Sequence, residues 1–238
     1  MTEDRTWPGV PIRCVLSDCD GVIVDSEVMA EEVLADVLAS VFDHSDIRSL
    51  TRDLFGMRVI EIIAAVERLL DKPLSEEHRR ALQHRIDAEV AERATAMPGM
   101  FDTYRALGRP VAVVSNSACH RLRRSVERAG LLDWLDPHIY SAEDVGRPKP
   151  APDAYLHAAR QLGVPPAECL VIEDSATGVR AGCAAGMRVV GFLGGSHVFS
   201  DHGDRLRAAG AVAVFARMSE LPALIAVLEN GYREPHVD

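Results

Sequence analysis

The sequence has little basic charge and no long apolar run, and both absences narrow its possible partners. Its 238 residues carry 26 Lys and Arg against 36 Asp and Glu, for a formal net charge of −10 at pH 7. A chain this acidic lacks the basic surface that nucleic-acid binders and anionic-membrane binders need. Because it has no apolar stretch of about 18 residues and no signal-peptide pattern at the N-terminus, we expect a cytoplasmic protein without a membrane partner.

Cysteine is also scarce and irregularly placed. The five cysteines are odd in number, and no two of them have the CxxC spacing. This argues against both a disulfide framework and a zinc site. We expect reduced and mostly buried thiols, including Cys19.

One short segment, residues 121–128, concentrates several of the arginines. Apolar positions recur in it at helical spacing, which predicts a helix whose arginines face solvent. The arginines concerned are Arg121, Arg123, Arg124 and Arg128.

Short apolar runs, nearly continuous and rich in Val and Ile, recur along the chain and alternate with helical stretches. Runs of this kind are typical of strands that are buried on both faces of a sheet. The alternation predicts βαβ units, and therefore an α/β fold with a Rossmann-like, doubly wound parallel sheet. The predicted strands cover residues 12–17, 110–115, 138–141, 169–173, 187–193 and 211–216.

Residues 27–96 interrupt this alternation. Their apolar residues recur every three or four positions, and no convincing strand is present. We therefore predict an all-helical domain at 27–96, inserted into a core domain formed by residues 1–26 and 97–238.

Charged and polar side chains come directly after several of the predicted strands. Asp18 and Asp20 come directly after the first strand, and two carboxylates about 4 Å apart repel each other by on the order of 4 kcal/mol at an effective dielectric near 20. The carboxyl ends of parallel strands meet at one edge of the sheet, so further polar residues join this pair. They are Ser115, Asn116, Lys149, Glu173 and Asp174. Clustered carboxylate oxygens suit Mg²⁺, which we expect as the cofactor.

Each of these residues also has an ordinary structural explanation. Asp20 precedes Gly21 in a common turn dipeptide, and Glu173 and Asp174 could complement a helix dipole. Asp25, Ser26 and Glu27 are interpreted as the turn and N-terminal cap of the first inserted helix, with a substrate contact as the less favoured alternative. The joint occurrence of the strand-end residues favours a functional site.

In order and spacing, "DCDG", "VVSN", "GRPKPAPD" and "VIEDS" resemble the four motifs of the haloacid dehalogenase superfamily. The helical insertion resembles the C1 cap of its β-phosphoglucomutase-like branch. The resemblance implies a phosphoric monoester hydrolase in which Asp18 attacks phosphorus and Asp20 acts as general acid and base. It also implies that Ser115 and Lys149 hold phosphoryl oxygens, with donors from Asn116. The implied Mg²⁺ ligands are Asp18, the Asp20 carbonyl and Asp174, with Glu173 as a ligand or a supporting partner.

The resemblance leaves three functions to weigh. A phosphatase of sugar or sugar-acid phosphates such as 6-phosphogluconate is favoured. In it, Arg58 is either a contact for the leaving group or a solvent-exposed arginine at the start of a helix. A phosphosugar mutase is the alternative, but those mutases carry a histidine at the position of Ala30. A catalytically silent binding protein is disfavoured because all four motifs are intact.

Overall fold

The computed structural model describes residues 9–44, 46–51 and 59–230. In chain order, the strands are β1 (Cys14–Ser17), β2 (Val24–Asp25), β3 (Thr95–Ala96), β4 (Val111–Ser115), β5 (Ile139–Ser141), β6 (Cys169–Glu173), β7 (Arg188–Phe192) and β8 (Ala213–Phe215). The α-helices are α1 (Glu27–Phe42), α2 (Ile47–Thr51), α3 (Val59–Leu70), α4 (Glu76–Arg93), α5 (Met100–Ala106), α6 (Cys119–Arg128), α7 (Leu132–Leu135), α8 (Asp153–Leu162), α9 (Ala176–Ala184), α10 (His202–Ala209) and α11 (Leu221–Glu229).

The predicted parallel sheet is confirmed. Six strands lie in the order β5-β4-β1-β6-β7-β8, and every neighbouring pair is parallel. Successive residues of each strand contribute to different cores, since side chains alternate across a sheet. In β1, Val15 belongs to one core while Cys14 and Leu16 belong to the other. Burial on both faces explains why these strands read as continuous apolar runs.

Helices cover both faces of the sheet. On one face, α6 contributes Leu122 and Val126, and α5 and α11 add further apolar residues. On the other face, α8, α9 and α10 pack, and Val179 and Leu206 are fully buried there. In the strand order of the sheet, β4, β1 and β6 are neighbours near the centre. Their carboxyl ends therefore form the middle of one edge.

The inserted helices α1, α3 and α4 surround a third, separate apolar core that includes Leu38, Ile63 and Ile86. The chain enters and leaves this region through β2 and β3, which pair antiparallel with Val24 opposite Ala96. The expectation that no strand occurs between Glu27 and Ala96 was wrong for β3, which occupies the last two residues of that range. A two-residue strand carries too little periodicity to be read from a sequence.

Within residues 9–44, 46–51 and 59–230, no helix combines the length and the apolar character that crossing a membrane would require.

Candidate active site

The carboxyl ends of three central strands bring the predicted acidic residues together. Asp18 follows β1, and its amide donates a 2.9 Å hydrogen bond to the Ile172 carbonyl of β6. Glu173 ends β6 and Asp174 comes next, while Ser115 ends β4 on the other side of β1. Adjacent parallel strands therefore place these residues at one edge, as the sequence predicts.

Lys149 reaches this edge from the segment between β5 and α8. Its buried Nζ lies 2.7 Å from Asp18 Oδ1 and 2.6 Å from Glu173 Oε1, and it donates to the Val114 carbonyl at 2.8 Å. All three N–H donors of the ammonium group are thus engaged. Burial alone would lower the pKa of Lys149, but the two carboxylates outweigh it and raise the pKa above its usual value. The side chain therefore remains a cation.

The Asn116 side chain holds the main chain of Lys149 in place. The Lys149 amide donates to Asn116 Oδ1 at 2.8 Å, and Asn116 Nδ2 donates to the Lys149 carbonyl at 3.2 Å. The structure therefore shows a bracing role for this side chain, beside the substrate contact that we predict for Asn116.

Glu173 is fully buried, and protein donors surround its carboxylate. Besides Lys149, Tyr155 donates to Oε1 at 2.7 Å and the Ser175 hydroxyl donates to Oε2 at 3.0 Å. A Cβ atom at Gly178 would lie 1.8 Å from Glu173 Oε1, so α9 needs glycine there to pass the carboxylate. These contacts favour the supporting alternative for Glu173, in which it orients Lys149.

Asp18 and Asp174 form the part of the cluster that is suited to a cation. Oxygen atoms of Asp18, Glu173 and Asp174 all lie within 4.8 Å of one another. Burial and the neighbouring Glu173 carboxylate raise the pKa of both Asp18 and Asp174 well above the usual value. A set of carboxylate oxygens with excess negative charge fits a hard divalent cation such as Mg²⁺.

Gly21 allows the turn after β1 to approach Asp174 closely. Its φ is +73°, and a Cβ atom there would lie 1.8 Å from Asp174 Oδ2. Both the backbone conformation and the available space therefore require glycine.

The Asp20 carboxylate is held by three donors. The Ser26 and Arg121 side chains each donate to Oδ1 at 2.6 Å, and Ser117 donates to Oδ2 at 2.6 Å. Burial would raise the pKa of Asp20, but the guanidinium of Arg121 and the hydroxyls outweigh it and lower the pKa. Asp20 is therefore a carboxylate in this arrangement.

Two sequence interpretations need correction at this point. Arg121 is only 9% exposed, although the helical pattern predicts a solvated arginine; the other three arginines of the segment have exposed side chains. Ser26 occupies the N-cap position of α1 but makes no side-chain capping hydrogen bond. Its hydroxyl donates to Asp20 Oδ1 instead.

Arg121 also faces a carboxylate of the inserted helices. Its Nη1 lies 3.8 Å from Oδ1 of Asp87 on α4, and Asp87 is 2% exposed. Sequence reasoning missed both residues, because nothing in the local pattern of α4 or α6 shows that the two helices pack together.

A cavity of about 780 Å³ opens between the strand ends and α1, α3 and α4. Asp18, Asp20, Ser115 and Lys149 lie along its core side. From the inserted helices, Ala30, Glu31, Gln83 and Asp87 contribute to its wall. A small molecule can therefore occupy the space next to the acidic cluster.

The remaining predictions concern Cys19 and Arg58. Cys19 is fully buried, as expected, and burial raises its thiol pKa well above the usual value. It is therefore an unreactive thiol despite its position between the two aspartates. Arg58 lies outside the described residues, and its contact with the leaving group stays a prediction.

Comparisons with known proteins identify a family for the chain. A family model described as haloacid dehalogenase-like hydrolase matches residues 12–186. The chain is 34% identical over 196 residues to hexitol phosphatase A of Escherichia coli (strain K12), covering 75% of this chain and 83% of that protein. It is 28% identical over 217 residues to the 6-phosphogluconate phosphatase of the same organism, covering 90% and 94%.

A solved structure is similar over nearly the whole chain. It is a haloacid dehalogenase family hydrolase from Deinococcus radiodurans R1, with bound phosphate and sodium. The two chains are 37% identical and superpose with a TM-score of 0.73, covering 92% of this chain and 97% of that one.

Proposed function

The chain belongs to the haloacid dehalogenase-like hydrolase family, and on this basis we propose that it is a Mg²⁺-dependent phosphatase of small phosphate monoesters. One observation carries the proposal: Lys149 Nζ bridges Asp18 and Glu173 at the sheet edge, beside a cavity. Phosphoryl transfer requires mainly positioning and neutralisation of charge, and this arrangement supplies both.

In the proposed first step, a carboxylate oxygen of Asp18 attacks phosphorus and the bond to the ester oxygen breaks. Asp18 thereby becomes an aspartyl phosphate, which divides one difficult displacement into two easier ones. Asp20 is a carboxylate in the substrate-free arrangement, so it must first take up a proton, which it then passes to the leaving alkoxide.

In the second step, water attacks the phosphorus of the aspartyl phosphate, inorganic phosphate leaves, and Asp18 is regenerated. Asp20 accepts the proton of the attacking water, and the lowered pKa of its carboxyl group suits this role. Ser115 and Lys149 would donate to the phosphoryl oxygens. Because Lys149 has all three donors engaged, it would share one of them between Asp18 and the substrate.

Asp18 and Asp174 would hold the Mg²⁺, together with the Asp20 carbonyl, and Glu173 would support them through Lys149. When bound, the cation would neutralise charge on the transferring phosphoryl group.

We further propose that residues 27–96 act as a cap that supplies specificity. The antiparallel pair β2–β3 is the connection through which such a cap would move, and closure would exclude water from the site. Glu31 and Gln83 present polar groups to the cavity, which suits a leaving group with several hydroxyls. The relatives named as phosphatases of 6-phosphogluconate and hexitols support a sugar, sugar-alcohol or sugar-acid phosphate as substrate.

The test is release of inorganic phosphate by the purified protein from a panel of hexose, hexitol and sugar-acid phosphates, nucleotides and β-glucose 1-phosphate. We expect the sugar-derived esters to give the highest kcat/KM, and release to require Mg²⁺. Conversion of β-glucose 1-phosphate to glucose 6-phosphate without phosphate release would identify a mutase and overturn the proposal. If the folded protein turned over none of these substrates, the catalytically silent binding protein would be the remaining function.

A further inference from the structure

Two histidines that the proposed mechanism does not use contact Asp174. His202, the first residue of α10, donates from Nε2 to the Asp174 main-chain carbonyl at 2.6 Å. His197 Nε2 lies 3.1 Å from Asp174 Oδ2. One imidazole therefore contacts the backbone of this residue and the other contacts its carboxylate.

The two rings are half-buried at the cavity wall, and each directs its Nε2 atom at Asp174. They pack edge to face, with centroids 5.3 Å apart and an interplanar angle of 83°. The Nδ1 atom of each ring is buried and has no hydrogen-bond partner among the described residues. A buried ring nitrogen without a partner is unfavourable. The other ring nitrogen, Nε2, is therefore the atom through which each ring makes a polar contact, and in both rings that contact is with Asp174.

Glycines on either side make room for the His197 ring. A Cβ atom at Gly195 would lie 2.7 Å from ring atoms Cε1 and Nδ1. A Cβ atom at Gly21 would lie 3.1 Å from Cε1 of the same ring. A larger residue at either position would push the imidazole away from the carboxylate.

The segment that carries His197 is anchored to the connection to α1. The amide and the hydroxyl of Ser196 both donate to Asp25 Oδ1, at 3.0 and 2.8 Å. Asp25 is the last residue of β2 and lies two positions before α1. The position of His197 is therefore fixed from both ends, by Asp25 through Ser196 and by α10.

We propose that His197 and His202 are positioning residues that fix Asp174 for cation binding, an inference that rests on the proposed role of Asp174 as a Mg²⁺ ligand. His202 fixes the main chain of Asp174, and His197 fixes one carboxylate oxygen and thereby the direction of the other. Partners that orient a ligating carboxylate typically change metal affinity by 10- to 100-fold.

The test measures binding of Mn²⁺, used as the probe ion, to substrate-free protein by electron paramagnetic resonance of the free ion. His197→Phe removes the Nε2 contact but keeps a ring of similar size, and His197→Gln keeps an N–H donor. We expect the Mn²⁺ dissociation constant to rise roughly 10- to 100-fold in His197→Phe and in His202→Phe. His197→Gln should restore most of the affinity, which a purely structural role for the ring would not allow.

His138→Phe is the matched control, because His138 lies just before β5 and contacts Tyr140 of that edge strand, which β4 and β1 separate from β6 and Asp174. Thermal unfolding of all the variants establishes that they are folded. Unchanged Mn²⁺ affinity in His197→Phe, or equal losses in His197→Gln and His197→Phe, would overturn the inference. If the wild-type protein itself failed to bind Mn²⁺, the proposed metal site would fail with it, so the two failures are distinguishable.

Discussion

Arg121 donates a 2.6 Å hydrogen bond to Asp20 Oδ1, and through this contact α6 holds the side chain that we propose as general acid and base. The same guanidinium lies 3.8 Å from Asp87 Oδ1. Arg121 therefore stands between a carboxylate of the core and a carboxylate of α4, next to the cavity.

Replacing Arg121 should misplace Asp20. We expect Arg121→Gln to lower kcat/KM roughly 100-fold, because small displacements of a reacting group have effects of this size. Arg123→Gln is the matched control, since the Arg123 side chain is 45% exposed and pairs only with the exposed Asp136 among the described residues. Steady-state kinetics on the best substrate would measure both variants. Equal kcat/KM values for Arg121→Gln and the wild type would contradict this role.

Lys149 is the cation between two buried carboxylates, so its loss should affect both activity and folding. We expect Lys149→Met to abolish phosphate release and to lower the free energy of unfolding by about 3–5 kcal/mol, because Asp18 and Glu173 lose their partner. The only other lysine of the chain, Lys72, is exposed and serves as the control. Urea unfolding of Lys149→Met and Lys72→Met gives the comparison. A Lys149→Met protein as stable as Lys72→Met would show that the buried pairs contribute little.

Gly178 should not tolerate a methyl group. In Gly178→Ala the new Cβ would collide with the Glu173 carboxylate, and overpacking of this kind costs about 1–3 kcal/mol. Gly203→Ala is the control. Gly203 also lies in a helix, but the nearest atoms to an added Cβ would be 3.4 Å away. We expect Gly203→Ala to leave the free energy of unfolding unchanged, or to raise it by about 0.5–1 kcal/mol, because alanine lowers the entropy of the unfolded chain. Chemical denaturation would compare the two, and equal stabilities would be inconsistent with the close contact at Glu173.

Acid should weaken the inserted helices through Glu67. Its carboxylate is 2.9 Å from Arg79 and accepts from the Leu74 amide at 2.6 Å, and these contacts, with the Arg79 hydrogen bond the largest, lower its pKa below the usual 4.5. A carboxyl group with a lowered pKa stabilises the fold fully above pH 4.5, and this stabilisation is lost as the pH falls through the lowered value.

Glu67→Gln should therefore lower the free energy of unfolding at pH 7 by about 1.5–3 kcal/mol and flatten its dependence on pH below 4.5. Glu77→Gln, at an exposed position in the first turn of α4, should lower the free energy of unfolding by less than about 1 kcal/mol, the usual worth of a carboxylate near a helix N-terminus. Unfolding followed by circular dichroism between pH 3 and pH 7 would separate them. A Glu67→Gln curve parallel to that of the wild type would exclude the ion pair as a source of acid sensitivity.

The fold could be predicted from the sequence because its signals are local. Strand β6 has the predicted bounds, and the other sheet strands differ from prediction by one or two residues at one or both ends. The strand-end residues Asp18, Ser115 and Glu173 converge as parallel topology requires.

The contacts that support the site could not be predicted in this way. Arg121 lies on a helix with an ordinary amphipathic pattern, and its burial depends on how α6 packs against α4. His197 lies in a glycine-containing segment with no helical or strand period, and its contact with Asp174 depends on the path of the chain after β7. Such contacts are set by tertiary packing, which sequence periodicity does not encode.

The most direct test of the central claim is phosphate release by the wild-type protein and by Asp18→Asn, with Mg²⁺ and with a chelator. The account predicts Mg²⁺-dependent release by the wild type and none by Asp18→Asn, because the amide cannot act as the nucleophile. Metal-dependent release by folded Asp18→Asn at a rate near that of the wild type would contradict the assignment of Asp18.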